Sequence, residues 1–258
     1  MSSSDKYYEE GINYHKERKY KEAIESFDKA IELDNSTSKY YSARGRSKNA
    51  LKQHEEAKND AYKSLELDKN NSESYLLLGN VHSSLEQYEE AIKYYDEAIE
   101  LDSNNSMFYY NRGFAKDNLG QSEEAVKDYD KAIELDPNDS IAYNNRGISK
   151  SALGEYEEAI KDYDKAIELD INNATIYYNR GNAKSNLGEY EEAIKDYDKS
   201  IELNPNYSDV YNNRGFAKEK LGQYQEALQD FKKALELNPN NNTAKGNIKN
   251  IQDKYGLK

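Results

Sequence analysis

The chain is 258 residues long, a third of them charged (33%), with a formal net charge of −13 and no cysteine. The acidic balance argues against nucleic acid as a partner, because phosphate contacts need clustered lysine and arginine, and the missing cysteines exclude disulfides and thiol chemistry. No apolar run reaches the roughly 20 residues that a membrane span needs, and the opening MSSSDKYYEE lacks the basic-then-apolar layout of a secretory leader, so a cytoplasmic location is expected.

Seven blocks of 34 residues follow one another without insertion: 4–37, 38–71, 72–105, 106–139, 140–173, 174–207 and 208–241. With positions numbered 1–34 inside each block, position 4 is always tyrosine (Tyr7, Tyr41, Tyr75, Tyr109, Tyr143, Tyr177, Tyr211) and position 8 always glycine (Gly11 through Gly215). Position 20 is always alanine, and position 24 is aromatic except for Ala61. The spacing predicts a helix A over roughly positions 2–14 and a helix B over roughly 18–31 in every block. Small residues at 8 and 20 let the two axes approach. Glycine at position 15 (Gly120, Gly154, Gly188, Gly222) suits a left-handed turn after helix A. Pro137, Pro205 and Pro239 at position 32 stop helix B.

Taken in order, the first block carries Glu10 at position 7 and Arg18 at position 15 and reads as a polar starting cap. The second is the weak one, with Lys58, Ala61 and Ser64 at positions 21, 24 and 27. It is expected to open first, with Tyr62 swinging inward in place of the missing aromatic. The third has an apolar helix A around Leu76, Leu77 and Leu78, and the last four are near copies of one another. Residues 242–258 put Ala244, Ile248, Ile251 and Tyr255 on one helical face, which reads as a capping helix after the last block.

Five blocks share arginine at position 7, lysine at 11 and aspartate at 23: Arg44/Lys48/Asp60, Arg112/Lys116/Asp128, Arg146/Lys150/Asp162, Arg180/Lys184/Asp196 and Arg214/Lys218/Asp230. The first and third blocks lack all three. The aspartate is expected to pair with the arginine or the lysine across the two helices. Glu157/Lys161 and Glu191/Lys195 are read as surface pairs one turn apart.

This pattern resembles the tetratricopeptide repeat family over almost the whole chain. It departs from the family at position 4, often tryptophan there, and at positions 7 and 11, usually leucine and tyrosine. The resemblance implies an all-α right-handed solenoid of seven helix-turn-helix repeats plus a C-terminal capping helix. It also implies a concave groove lined by the A helices at positions 2, 5, 6, 9, 12 and 13. There, position 6 is asparagine in the last four repeats (Asn111, Asn145, Asn179, Asn213), similar to the asparagine ladder of O-linked N-acetylglucosamine transferase. A carboxamide both donates and accepts, so such a column suits a peptide backbone of any sequence. Copied sequence is the competing explanation. Met107, Tyr110, Phe114, Ile148 and Phe216 add apolar groups to the same face. The family's dicarboxylate clamp is incomplete, because Asn182 and Asn213 are present but Tyr178 stands where its lysine belongs.

Neither a metal-ligand spacing nor a nucleophile with its base appears, and His15, His54 and His82 fall at unrelated positions. The expectation is a non-enzymatic scaffold without cofactor or metal, binding an extended peptide or partner segment of a protein in the groove of repeats four to seven. A self-associating structural solenoid, stacked end to end or through its groove, is the alternative.

Overall fold

In the computed structural model, residues 2–256 are described and contain fifteen α-helices and no strand. Contacts divide the chain into two compact bodies, one ending at Asp136 and the other starting at Pro137. The N-terminal body holds α1 (Ser3–Lys16), α2 (Tyr20–Leu33), α3 (Ser38–Ala50), α4 (His54–Leu67), α5 (Ser72–Ser84), α6 (Tyr88–Leu101), α7 (Ser106–Asn118) and α8 (Ser122–Leu135). The C-terminal body holds α9 (Ser140–Ala152), α10 (Tyr156–Leu169), α11 (Ala174–Asn186), α12 (Tyr190–Leu203), α13 (Ser208–Lys220), α14 (Tyr224–Leu237) and α15 (Asn242–Tyr255). Within each body every A helix packs on its own B helix, and that B helix packs on the next A helix. Each body is thus a stretch of α-solenoid.

The A helices of repeats two to seven start at position 1, one residue earlier than the spacing predicts, with the last residue of the preceding repeat as the N-cap. The side-chain oxygens of Asn71, Asn105, Asn173 and Asn241 each accept from a backbone N–H in the first turn that follows. The turn after helix A is left-handed in every repeat. Gly120, Gly154, Gly188 and Gly222 hold φ between 74° and 81°, while Arg18, Lys52 and Glu86 take φ of 59–61° with a side chain attached.

The position 8 glycine faces the position 24 aromatic. A Cβ on Gly147 would sit 2.7 Å from the Tyr163 ring, and one on Gly181 2.7 Å from the Tyr197 ring. The second repeat solves its missing aromatic differently from the sequence expectation. Tyr62 does not swing inward; it is 50% exposed, and its hydroxyl meets that of Tyr94 at 3.4 Å. Leu77 from the next repeat fills the space against Gly45 and packs with Ala57, Ala61, Leu78 and Val81. Ser64 is buried but satisfied, donating to the Ser38 carbonyl at 2.9 Å.

The charged triads form as expected. In all five, arginine Nε donates to the position 23 carboxylate at 2.9 Å. The lysine lies 2.7–2.8 Å from the same group. Each guanidinium also lies over the position 4 tyrosine ring, 5.4–5.6 Å from its centre. The surface lysines Lys161 and Lys195 pair three residues back, with Glu158 and Glu192, and not with Glu157 and Glu191. At the C-terminus α15 buries Ala244 and Ile251 and stacks Tyr255 on Tyr224 at 3.7 Å between ring centres. The last two residues of the expected cap, Leu257 and Lys258, lie outside the described residues.

Candidate functional site

The A helices carry a pocket that recurs with the repeat. It lies between consecutive A helices and is floored by the position 24 tyrosine of the intervening B helix. In the N-terminal body a pocket of about 370 Å³ is lined by Asn80 and Ser83 of α5, Tyr95 of α6, and Tyr110, Asn111 and Phe114 of α7. In the C-terminal body a pocket of about 300 Å³ uses the same positions, with Asn182, Ser185 and Asn186 of α11, Tyr197 of α12, and Asn213 and Phe216 of α13. A third, of about 160 Å³, sits one repeat earlier and includes Ile148 of α9, Tyr163 of α10, and Asn179 and Asn182 of α11.

The floor is polar because the tyrosine hydroxyl reaches past the glycine. Tyr95 donates to Asn80 Oδ1 at 2.9 Å and Tyr197 to Asn182 Oδ1 at 2.8 Å, while Tyr163 meets the Ser151 hydroxyl at 3.2 Å. Burial pushes the Tyr163 phenol up to about 12, against a smaller opposing effect of the Ser151 hydrogen bond. Burial raises Tyr95 and Tyr197 in the same way, so all three phenols stay neutral at physiological pH.

Eight of the ten residues expected in the groove line one or another of these three pockets. Tyr110, Asn111 and Phe114 line one pocket, and Ile148, Asn179, Asn182, Asn213 and Phe216 line the other two. Met107 lies on α7 and is 47% exposed, while Asn145 is half-buried on α9; neither lines these pockets. Ile148, Phe114 and Phe216 keep 39–43% of their surface exposed. Tyr178 instead leans on Tyr207, 5.0 Å between ring centres, and on Tyr197 at 6.3 Å.

The asparagines also bind the repeats to one another, which the sequence reading did not anticipate. Asn179 donates to Asn144 Oδ1 at 3.0 Å, Asn213 to the Tyr178 hydroxyl at 3.2 Å, and Asn247 to Asn212 Oδ1 at 3.1 Å. Each bond runs from position 6 of one repeat to position 5 of the repeat before it. Asn111 instead donates back to the Met107 carbonyl at 2.8 Å. Asn213 also donates to Asn182 Oδ1 at 2.8 Å and accepts from Asn212 at 3.1 Å, so both of its N–H groups are engaged within the protein. The residues that sequence reasoning missed include Asn80, Ser83, Ser84, Ser151, Ser185, Asn186 and the three floor tyrosines. Their signal was present: position 24 is tyrosine in repeats three to six, where phenylalanine would fill the core equally well but supply no hydroxyl.

Among the described residues, no cluster of three histidines or acids could hold a metal ion, and no helix is long and apolar enough to cross a membrane.

Comparison with known proteins bears on these observations. Tetratricopeptide repeat family profiles match residues 4–36, 38–71, 72–105, 106–139, 128–161, 174–207 and 208–241, and a further TPR repeat profile matches 151–188. Solved structures with a similar fold include YrrB, described as a TPR protein with an unusual peptide-binding site, at 27% identity and a TM-score of 0.62 over 72% of this chain and 96% of that one. MamA is similar at 29% identity and a TM-score of 0.60, over 63% of this chain and 95% of its own. The C-terminal part of a TPR repeat-containing protein from Cytophaga hutchinsonii shares the fold at 21% identity and a TM-score of 0.69, over 93% and 99% of the two chains. A search of curated proteins finds no match. With repeat profiles matching in phase along most of its length, the chain belongs to the tetratricopeptide repeat family.

Proposed function

We propose that the protein is a non-enzymatic interaction scaffold that holds an extended peptide segment of a partner protein against its A helices. The observation that carries this reading is the recurrence of one pocket at equivalent positions of several repeats, each with an apolar rim residue and carboxamides in its lining. Fixed spacing of like pockets suits a chain that repeats its own geometry, and an extended peptide does so. The peptide-binding site named for the similar YrrB lends support. The contact residues we assign are Tyr110, Asn111 and Phe114 in the N-terminal body, with Met107 beside them. In the C-terminal body they are Ile148, Asn179, Asn182, Asn213 and Phe216, with Asn145 beside them.

A random-peptide library screened against the wild-type chain and against Phe114→Ala/Phe216→Ala tests the reading. Both side chains are about 40% exposed, so their removal leaves the core intact. Enrichment on wild type that is lost on the variant is the expected result. No enrichment on either, together with a mass that rises with concentration, would replace the reading with self-association.

A further inference from the structure

Charge has been kept out of all three pockets. A third of the chain is charged and the net charge is −13. Yet the residues lining the pockets are asparagine, serine, tyrosine, phenylalanine, isoleucine and alanine, with no acid or base among them. The position 7 and 11 cations of the A helices are turned to the other side, whereas the Lys220 ammonium lies over the Phe216 ring at the rim of one pocket, 4.9 Å from its centre. Arg112, Arg180 and Arg214 point to carboxylates on the B helices, and the lysine one turn later follows them.

A pocket of this kind cannot compensate an ion. Placing a carboxylate or ammonium in it would strip water from the charge and return only neutral dipoles, a strongly unfavourable exchange. Neutral polar groups meet the opposite situation. In the larger C-terminal pocket Asn213 and Tyr197 spend their protons on Tyr178 and Asn182, while the Asn182 Nδ2 group, the Asn186 carboxamide and the Ser185 hydroxyl supply both donors and acceptors. The Phe216 rim adds an apolar wall that an aliphatic stem can cover.

Resting on the peptide-scaffold reading, we infer that the partner segment is itself uncharged where it meets the A helices. It is an extended stretch rich in asparagine, glutamine, serine or threonine from another protein, bound by carboxamide and hydroxyl pairing. The protein's acidity then takes no part in recognition, and binding is insensitive to salt.

The test uses the full chain and the same random-peptide library. The composition of the enriched peptides is read first. An enriched neutral amide-rich peptide is then synthesised beside versions carrying glutamate or lysine at the same places. Fluorescence anisotropy gives the affinity of each at about 0.05 M and about 0.5 M salt, a range over which exposed charge pairs are largely screened. The expected result is a neutral peptide whose affinity changes by less than about twofold across that range, with both charged versions at least about tenfold weaker. Asn186→Asp, nearly isosteric and on an exposed residue, should weaken the neutral peptide and narrow the gap to the lysine version. Enrichment of charged peptides with salt-dependent affinity overturns this inference and leaves peptide binding standing. No enrichment of any peptide overturns both.

Discussion

Arg112 Nη1 lies 2.6 Å from Asp96 Oδ1, a carboxylate of the preceding repeat. The same guanidinium grips Asp128 of its own repeat through Nε and Nη2. One arginine thus joins three helices, α6, α7 and α8. Arg44 with Asp28 and Asp60 repeats the arrangement in the N-terminal body, and Arg180 and Arg214 do so in the C-terminal body. The two carboxylates differ in burial: Asp128 is 5% exposed at its side chain and Asp96 48%. Asp128→Ala leaves Lys116 without its counter-charge and Arg112 with only the exposed Asp96, and should destabilise by about 3 kcal/mol. Asp96→Asn removes an exposed partner and should cost less than about 1 kcal/mol. Urea unfolding of the two variants gives the comparison; equal effects would mean that the bidentate pair contributes no more than the surface one.

Leu77 and Tyr62 offer a second test, because the sequence names the wrong one as the replacement for the missing aromatic. Leu77 is fully buried against Gly45. Leu77→Ala should therefore open a cavity at a cost of about 3 kcal/mol. Tyr62→Ala, on an exposed side chain, should stay within about 0.5 kcal/mol. Amide exchange should accelerate throughout α4 in the leucine variant and hardly change in the tyrosine variant.

These cases mark what the sequence could carry. Periodicity and the invariant tyrosine, glycine and alanine specify helix pairs, because each pattern acts inside one repeat. The triads were legible for the same reason: Arg180, Lys184 and Asp196 lie in a single block. Contacts across repeats were not. The Arg180–Asp164 bridge, the Asn213–Tyr178 bond and the Leu77 insertion each need the pitch between blocks, which no single block encodes. A pairwise reading would have found the bridge, since position 25 is Asp28, Asp96, Asp130, Asp164 or Asp198 ahead of an arginine but Tyr62 ahead of Leu78. The pockets were half legible. Their rims lie on the A helices that the repeat pattern exposes, but their floors come from B-helix tyrosines assigned wholly to the core.

The turn after helix A separates two effects of glycine. Arg18, Lys52 and Glu86 occupy the left-handed region that glycine fills in the later repeats. A side chain there costs roughly 1–2 kcal/mol of backbone strain. Nothing lies within 4 Å of a Cβ on Gly120, Gly154 or Gly188, so the preference is purely conformational. Arg18→Gly, Lys52→Gly and Glu86→Gly should each stabilise by about 0.5–1 kcal/mol, the strain relief being partly offset by the greater freedom of glycine in the unfolded chain. Gly154→Ala should destabilise by a similar amount. Thermal melts of the four variants check the signs, and a lower midpoint for the glycine substitutions would refute the account.

His15 makes stability depend on pH. It is half-buried on α1, with Nδ1 2.8 Å from the Ser47 hydroxyl, and burial, then the nearby Arg46 charge, lower its pKa below the ordinary 6.5. A lowered folded-state value means that the unfolded chain takes up the proton first. The contribution of His15 is therefore fully present above pH 6.5 and is lost as the pH falls toward the folded-state value. The slope in that window is at most about 1.4 kcal/mol per pH unit. Asp5 acts much further down: hydrogen bonds from Ser2 and Tyr40, with Lys39 beside them, lower it to about 2, so its effect is lost only below the ordinary carboxylate range. Urea midpoints measured between about pH 5 and 8 should fall on the acid side for the wild type. His15→Gln, which keeps a polar group near Ser47 but does not titrate, should flatten that fall. An unchanged profile in the variant would place the pH dependence on another group.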